Sequence, residues 1–199
     1  MKKISLILIL FLLILKTSLA SNYSSDPKMF VQELINDAIS NLSDKNLSVE
    51  EKANFIENMA IENVDIDALG LYTLGELRKS ADKSSINKYQ ETFEIYFLKS
   101  LTSRLTDYSS NKFEVINAEK KSSNYTIVKS KIAKSENQPE IKIDWRIYTK
   151  NPEKPLIRDL IVEGLSLAKT QKEEFASILN SNDMDINALL NKLKEFVSS

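Results

Sequence analysis

The chain contains no cysteine and no histidine, and only three glycines and four prolines among its 199 residues. Without cysteine there is no disulfide framework, no thiolate nucleophile and no lipid-bearing cysteine of a lipoprotein. Without histidine there is no Ser-His-Asp triad, no imidazole base and no imidazole metal ligand. No Gly-rich phosphate loop is present, and Lys120-Lys121 is too small a basic cluster for a nucleic-acid surface. The usual components of hydrolytic, zinc and nucleotide chemistry are missing, so a binding function gains weight before any motif is read.

One long hydrophobic run exists, and it stands at the start. Met1-Lys2-Lys3 is basic, Ile4 to Leu15 is apolar except for Ser5, and Ser18-Leu19-Ala20 supplies small residues at the −3 and −1 positions. This is the layout of a cleaved export signal. About twelve helical residues cover only ~18 Å, short of the ~30 Å of a hydrocarbon core. The expectation is a signal peptide over 1–20 and a single exported domain over 21–199. Removing Lys2, Lys3 and Lys16 takes the formal charge from 27 − 28 = −1 to 24 − 28 = −4. A mildly acidic domain of this kind is not built for nucleic acid.

Helical signals come first along the chain. Asp26-Pro27 reads as an N-cap with proline at N1, followed by Val31, Leu34, Ile35, Ala38, Ile39 and Leu42 at helical spacing. Ser48 to Glu51 forms a capping box opening a second helix with Phe55, Ile56 and Met59 on one face. Asp65 to Ser80 reads as further helix, in which Gly70 and Gly75 mark either a break or a close helix crossing. Ile86 to Tyr108 is the strongest helix, with Phe93, Phe97, Leu101, Leu105 and Tyr108 along one stripe.

Short β-prone runs follow at 113–119, 125–132, 140–149 and 156–164, separated by turn-like segments. In the third, Ile141, Ile143, Trp145 and Ile147 alternate with Lys142, Asp144, Arg146 and Tyr148, which predicts one buried face and one wet face. A second capping box, Thr170 to Glu173, predicts a helix carrying Phe175, Ile178 and Leu179. Ile186, Leu189, Leu190 and Leu193 predict a last one. The expected architecture is α+β: N-terminal helices, a curved antiparallel sheet of about four strands, and C-terminal helices.

The stretch Arg158 to Thr170 tests for catalysis. As strand residues Asp159 and Glu163 stand ~13 Å apart, beyond the roughly 5–9.5 Å of paired glycosidase carboxyls. Ser166 lies in Gly164-Leu-Ser166-Leu-Ala168, which does not complete a G-x-S-x-G elbow. The structural alternatives are a strand-exit hydrogen bond for Ser166, a bulge or close approach at Gly164, and capping or ion pairing for the two acids. An enzyme acting through Asp159 or Glu163, and an adaptor whose apolar groove takes a partner helix, remain as competing classes.

The same stretch, Asp159-Leu-Ile161-Val-Glu163-Gly164-Leu-Ser166, resembles a segment near the last strand of the MlaC family, periplasmic phospholipid-binding proteins also known as toluene-tolerance auxiliary proteins. Thr170 to Phe175, Leu74-Gly75, Lys79-Ser80-Ala81, Phe93, Leu98, Tyr108 and Asp144-Trp145-Arg146 extend the resemblance, in order, over nearly the whole exported chain. It departs at Leu77-Arg78, where the family often has two aromatics, and at Thr170 in place of a common Asn.

The resemblance implies a non-enzymatic, monomeric carrier in the periplasm that needs no cofactor and no metal. Its partners would be phospholipid, an inner-membrane MCE-domain protein of an ABC transporter complex and an outer-membrane lipoprotein–porin complex. The function implied is maintenance of outer-membrane lipid asymmetry. The alternative is a module for another apolar lipid such as a hopanoid. An apolar cavity for acyl chains is then expected. Its walls are assigned to Leu74, to Phe93, Phe97, Leu101 and Leu105, to Val115 and Ile127, to Ile141, Ile143, Trp145 and Ile147, to Leu160, Val162 and Leu165, and to Phe175.

Overall fold

The computed structural model describes residues 23–106, 112–134 and 139–199. The expected signal segment and Tyr108 lie outside them. Asp26 caps helix α1 (Pro27–Ser43) by accepting hydrogen bonds from the backbone amides of Lys28 and Met29. Ser48 and Glu51 exchange both bonds of the capping box at the start of α2 (Val49–Asn63). The segment after it divides into α3 (Ile66–Thr73) and the single turn α4 (Leu77–Ser80).

Both expectations for the two glycines of that segment are realised, one at each residue. Gly75 has φ +63° and breaks the helix. Gly70 permits a close crossing: a Cβ there would lie 2.9 Å from Cδ1 of Phe93 on α5 (Lys83–Leu105).

The sheet consists of β1 (Phe113–Lys120), β2 (Tyr125–Ile132), β3 (Ile141–Tyr148), β4 (Leu156–Val162) and the short β5 (Leu165–Ser166), all antiparallel and in sequential order. The expected fourth strand, 156–164, ends at Val162, and a short fifth strand that was not expected follows it. Glu163 and Gly164, with φ of +49° and +84°, form a two-residue hairpin turn between β4 and β5. Gly164 is therefore a turn residue, where a bulge or close approach was expected; a Cβ there would meet nothing within 4 Å.

Helices α6 (Leu167–Asn180) and α7 (Ile186–Ser198) complete the chain. The expected capping box at Thr170 is not the start of α6. Ser166 caps that helix by accepting from the amide of Lys169, and the Thr170 hydroxyl donates to the Ser166 carbonyl within it. The strand passes into the helix with no loop, so the true cap sits four residues earlier.

The apolar side chains form two cores. In the first, Phe30, Val31, Leu34 and Ile35 of α1 cover one sheet face through Val115, Val128, Trp145, Ile147 and Ile157. The second is helical: Leu74, Tyr89, Phe93, Phe175, Leu179, Ile186, Leu189, Leu190 and Leu193. Tyr89 and Thr73 share a 2.9 Å hydroxyl hydrogen bond inside it, and burial raises the Tyr89 phenol well above the ordinary tyrosine range. Among the described residues no helix is long and apolar enough to cross a membrane.

Candidate functional site

The register settles which assigned wall residues share a surface. Ile141, Ile143, Trp145 and Ile147 of β3 stand beside Ile132, Ser130, Val128 and Thr126 of β2. On the other side, Val162, Leu160 and Ile157 of β4 oppose Ile143, Trp145 and Ile147. Val115 joins the same face opposite Ser130. Toward the first core this face is closed, since Trp145 and Ile147 are buried. The Trp145 indole donates to Ser130 Oγ at 2.8 Å, and Ser130 Oγ donates to the Ile143 carbonyl at 2.8 Å, which satisfies the polar groups taken inside. Toward the other end Ile141, Ile143, Leu160 and Val162 are half-buried.

Two assigned residues lie elsewhere. Ile127 pairs with Arg146 and so projects from the opposite sheet face, because side chains alternate along β2 and Val128 takes the inner position. Leu165 follows the hairpin turn and is 59% exposed.

The helical residues divide along α5. Leu74, Phe93 and Phe175 are packed in the second core, where the Phe93 ring lies 6.1–6.2 Å from those of Phe97 and Phe175. Phe97 is half-buried at the margin of that core, and Leu101 and Leu105 are half-buried outside both cores. The stripe expected to form one wall therefore begins as core and ends as partly uncovered apolar surface.

Asp159 and Ser166 form a polar knot at the corner between β5 and α6. Asp159 is 5% exposed; its Oδ2 accepts from the Ser166 hydroxyl at 2.7 Å and its Oδ1 from the Ala168 amide at 3.0 Å. Arg146 Nη1 stands 3.2 Å from Asp159 Oδ2. With its hydroxyl donating to Asp159 and accepting the Lys169 amide, Ser166 is committed to the β5–α6 corner. Glu163 likewise ties the hairpin down by accepting from the Lys142 amide. Ser166→Ala is expected to lower stability by roughly 1–2 kcal/mol through the lost cap and hydrogen bond, measured by chemical denaturation, and to leave ligand content unchanged.

The second sheet face carries an aromatic–cationic assembly that the sequence pattern alone does not assign. A register shift between β3 and β4 leaves Arg158 as the extra residue between the pairs Arg146–Asp159 and Ile147–Ile157. Its guanidinium carbon lies 3.4 Å from the Tyr148 ring centroid, Nη1 donates to the Tyr125 hydroxyl at 2.8 Å, and Nε and Nη2 reach Asp65 Oδ2 at 2.7 and 2.6 Å. Burial works against the Arg158 charge, but the bonds to Tyr125 and Asp65 outweigh it and raise its pKa. The alternation in the third strand is the available signal, since it puts Arg146 and Tyr148 on one face; the bulge that aims Arg158 at them has no sequence signature.

The concavities of the described surface include two open ones. One, of about 510 Å³, lies among Glu57, Ile95, Leu98, Lys99, Thr102 and Val197. The other, of about 470 Å³, lies between α3 and the second sheet face, among Ala68, Leu69, Tyr72, Arg78, Tyr125, Arg146, Arg158 and Ala168.

The profile of the MlaC protein family matches residues 32–195. A search of curated proteins finds no match. Among solved structures, the phospholipid-binding protein from Ralstonia solanacearum, in complex with a phospholipid, is similar with a TM-score of 0.69 and 16% sequence identity. The match covers 84% of this chain and 94% of that one. At that identity the likeness establishes the fold.

Proposed function

The chain belongs to the MlaC family, and from that premise we propose that it is a periplasmic phospholipid carrier. The observation that carries the reading is apolar surface left outside the two cores: Leu101 and Leu105 on α5, and separately Ile141 and Val162 on the sheet, are half-buried and belong to neither core. Contiguous apolar surface left partly wet marks a ligand or partner site, whereas single exposed apolar residues do not. A likeness in fold to a protein holding a phospholipid supports that occupant.

Two acyl chains contain roughly thirty methylenes, each worth about 0.8 kcal/mol on burial, so their exposure in water costs on the order of 25 kcal/mol. A carrier has to cover nearly all of that surface and needs no reacting group to do so. The proposed walls are the half-buried residues of α5 and the sheet, Phe97 and Ile143 among them, backed by Phe93, Leu74, Trp145 and Ile147. The carrier works as a monomer between an outer-membrane lipoprotein–porin complex and an inner-membrane MCE-domain complex of an ABC transporter. Phospholipid as the co-purifying lipid favours this reading; a hopanoid would favour the related module instead.

Phe97→Asp places a carboxylate on the proposed wall, at the margin of the helical core. The variant is expected to keep its circular dichroism spectrum and lose most of its lipid by mass spectrometry; a folded variant with a full lipid complement removes Phe97 from the wall. Export predicts a mature chain starting at Ser21 by intact mass, and retention of Met1 in a membrane fraction would defeat the soluble-carrier reading.

A further inference from the structure

We infer that Asn46 is a modification site whose side-chain amide accepts an N-linked oligosaccharide after export, an inference that rests on the export reading above and not on the lipid reading. The acceptor chemistry requires Asn-x-Ser or Asn-x-Thr on an accessible surface segment of an exported chain. Four such triplets occur, beginning at Asn22, Asn41, Asn46 and Asn124. Asn22 lies outside the described residues.

The structure separates the other three. Asn41 stands inside α1, half-buried, with its Nδ2 donating to the Asp37 carbonyl at 2.9 Å. Asn124 leads into β2, its carbonyl accepts from the Thr149 amide at 2.8 Å, and Thr126 of its triplet is buried in the sheet beside Ile147. Presenting either one as an extended acceptor means unwinding a helix or parting two strands. Asn46 instead is exposed in the turn between α1 and α2. Its backbone amide and its Nδ2 both donate to Asp44 Oδ1, at 2.8 and 2.9 Å, so these bonds stay within the turn. Ser48, which completes the triplet, is exposed and tied only to Glu51, three residues on.

A second feature selects the same residue independently. Asp44 stands two positions before Asn46, where the bacterial form of the acceptor motif, Asp/Glu-x-Asn-x-Ser/Thr, carries an acid. The corresponding residues before Asn22, Asn41 and Asn124 are Ala20, Ile39 and Ser122. The donor is a polyprenyl-diphosphate-linked oligosaccharide, presented by a membrane-bound transferase in the compartment that receives the exported chain. Asn46 Nδ2 forms a bond to the anomeric carbon of the first sugar, and the bond from that carbon to the diphosphate oxygen breaks. Polyprenyl diphosphate leaves, and Nδ2 gives up one proton to a base of the transferase. Nothing is oxidised or reduced.

The test exports the full-length chain in cells that carry a bacterial oligosaccharyltransferase and its polyprenyl-linked donor, and reads the intact mass of the periplasmic protein. A chain starting at Ser21 is expected to gain the mass of one oligosaccharide, and peptide mass spectrometry should place it on Asn46. Asn46→Gln should remove the gain, Asp44→Asn should remove most of it and Asp44→Glu should keep it, all with unchanged circular dichroism. Asn41→Gln and Asn124→Gln should leave the gain as it is. A processed chain without sugar, or sugar that persists in Asn46→Gln or in full in Asp44→Asn, overturns the assignment and leaves the export reading standing. A chain that keeps Met1 and stays with the membrane brings down the export reading itself, and this inference with it.

Discussion

Ile143→Trp is expected to reduce bound phospholipid roughly tenfold, equivalent to about 1.4 kcal/mol of binding, in a protein that remains folded. Ile143 sits where the buried part of the inner sheet face gives way to the half-buried part, between Ser130 and Val162 in the register. An indole added there projects across the proposed acyl path. Acyl chains adapt to extra room but do not pass a blocked wall. Overpacking itself costs about 1–3 kcal/mol of stability, so denaturation must be measured alongside lipid content. Lys142→Ala serves as the control: its side chain is exposed on the opposite face, and bound lipid should not change. If Lys142→Ala empties the protein and Ile143→Trp does not, the cavity lies elsewhere.

Asp159→Ala is expected to destabilise the fold by about 2–4 kcal/mol, more than Ser166→Ala or Ile143→Trp. The carboxylate gathers the Ser166 hydroxyl, the Ala168 amide and Arg146 at the corner where β5 becomes α6. Its removal strands the Ala168 amide, since Ala168 is itself buried. Arg146 remains partly in water, which keeps the cost below that of breaking a fully buried ion pair. At roughly 2–4 °C per kcal/mol for a chain of this size, thermal unfolding should move down by about 5–15 °C. Asp159→Asn keeps an acceptor for the Ala168 amide and should cost less. A melting temperature unchanged in Asp159→Ala would show that the corner is held by packing alone. Loss of a catalytic turnover in a folded Ser166→Ala protein would instead revive the enzyme reading of this segment.

Local signals in the sequence translate directly into elements wherever capping chemistry or strict alternation carries them. Asp26-Pro27 and Ser48 to Glu51 start helices because their side chains satisfy otherwise orphaned amides. The alternation from Ile141 to Tyr148 is realised in the register, but the face expected to be wet is exposed only at Lys142, while Asp144, Arg146 and Tyr148 are half-buried. The start of α6 is hidden because Leu167 and Ala168 continue an apolar strand pattern, while Thr170 and Glu173 imitate a capping box inside the helix.

The face of β2 is legible only in part. Its inner residues Thr126, Val128, Ser130 and Ile132 are half polar, and Ser130 is tolerated inside because Trp145 and the Ile143 carbonyl satisfy it. Ile127, the more hydrophobic choice, therefore falls on the outer face. The division of one helical stripe into core at Phe93 and half-covered surface at Leu101 and Leu105 depends on α3, α6 and α7 reaching only part of α5. That is a tertiary fact, absent from the spacing. The cluster around Arg158 depends on a bulge and on Asp65, 93 residues away in the chain.

The most direct measurement is native mass spectrometry of the protein purified from the periplasm of cells expressing the full sequence. The carrier account predicts a folded monomer carrying phospholipid, released as intact two-chain lipid on activation and greatly reduced in Ile143→Trp. A folded wild-type monomer that is consistently free of lipid, and that takes none from phospholipid vesicles, would contradict it.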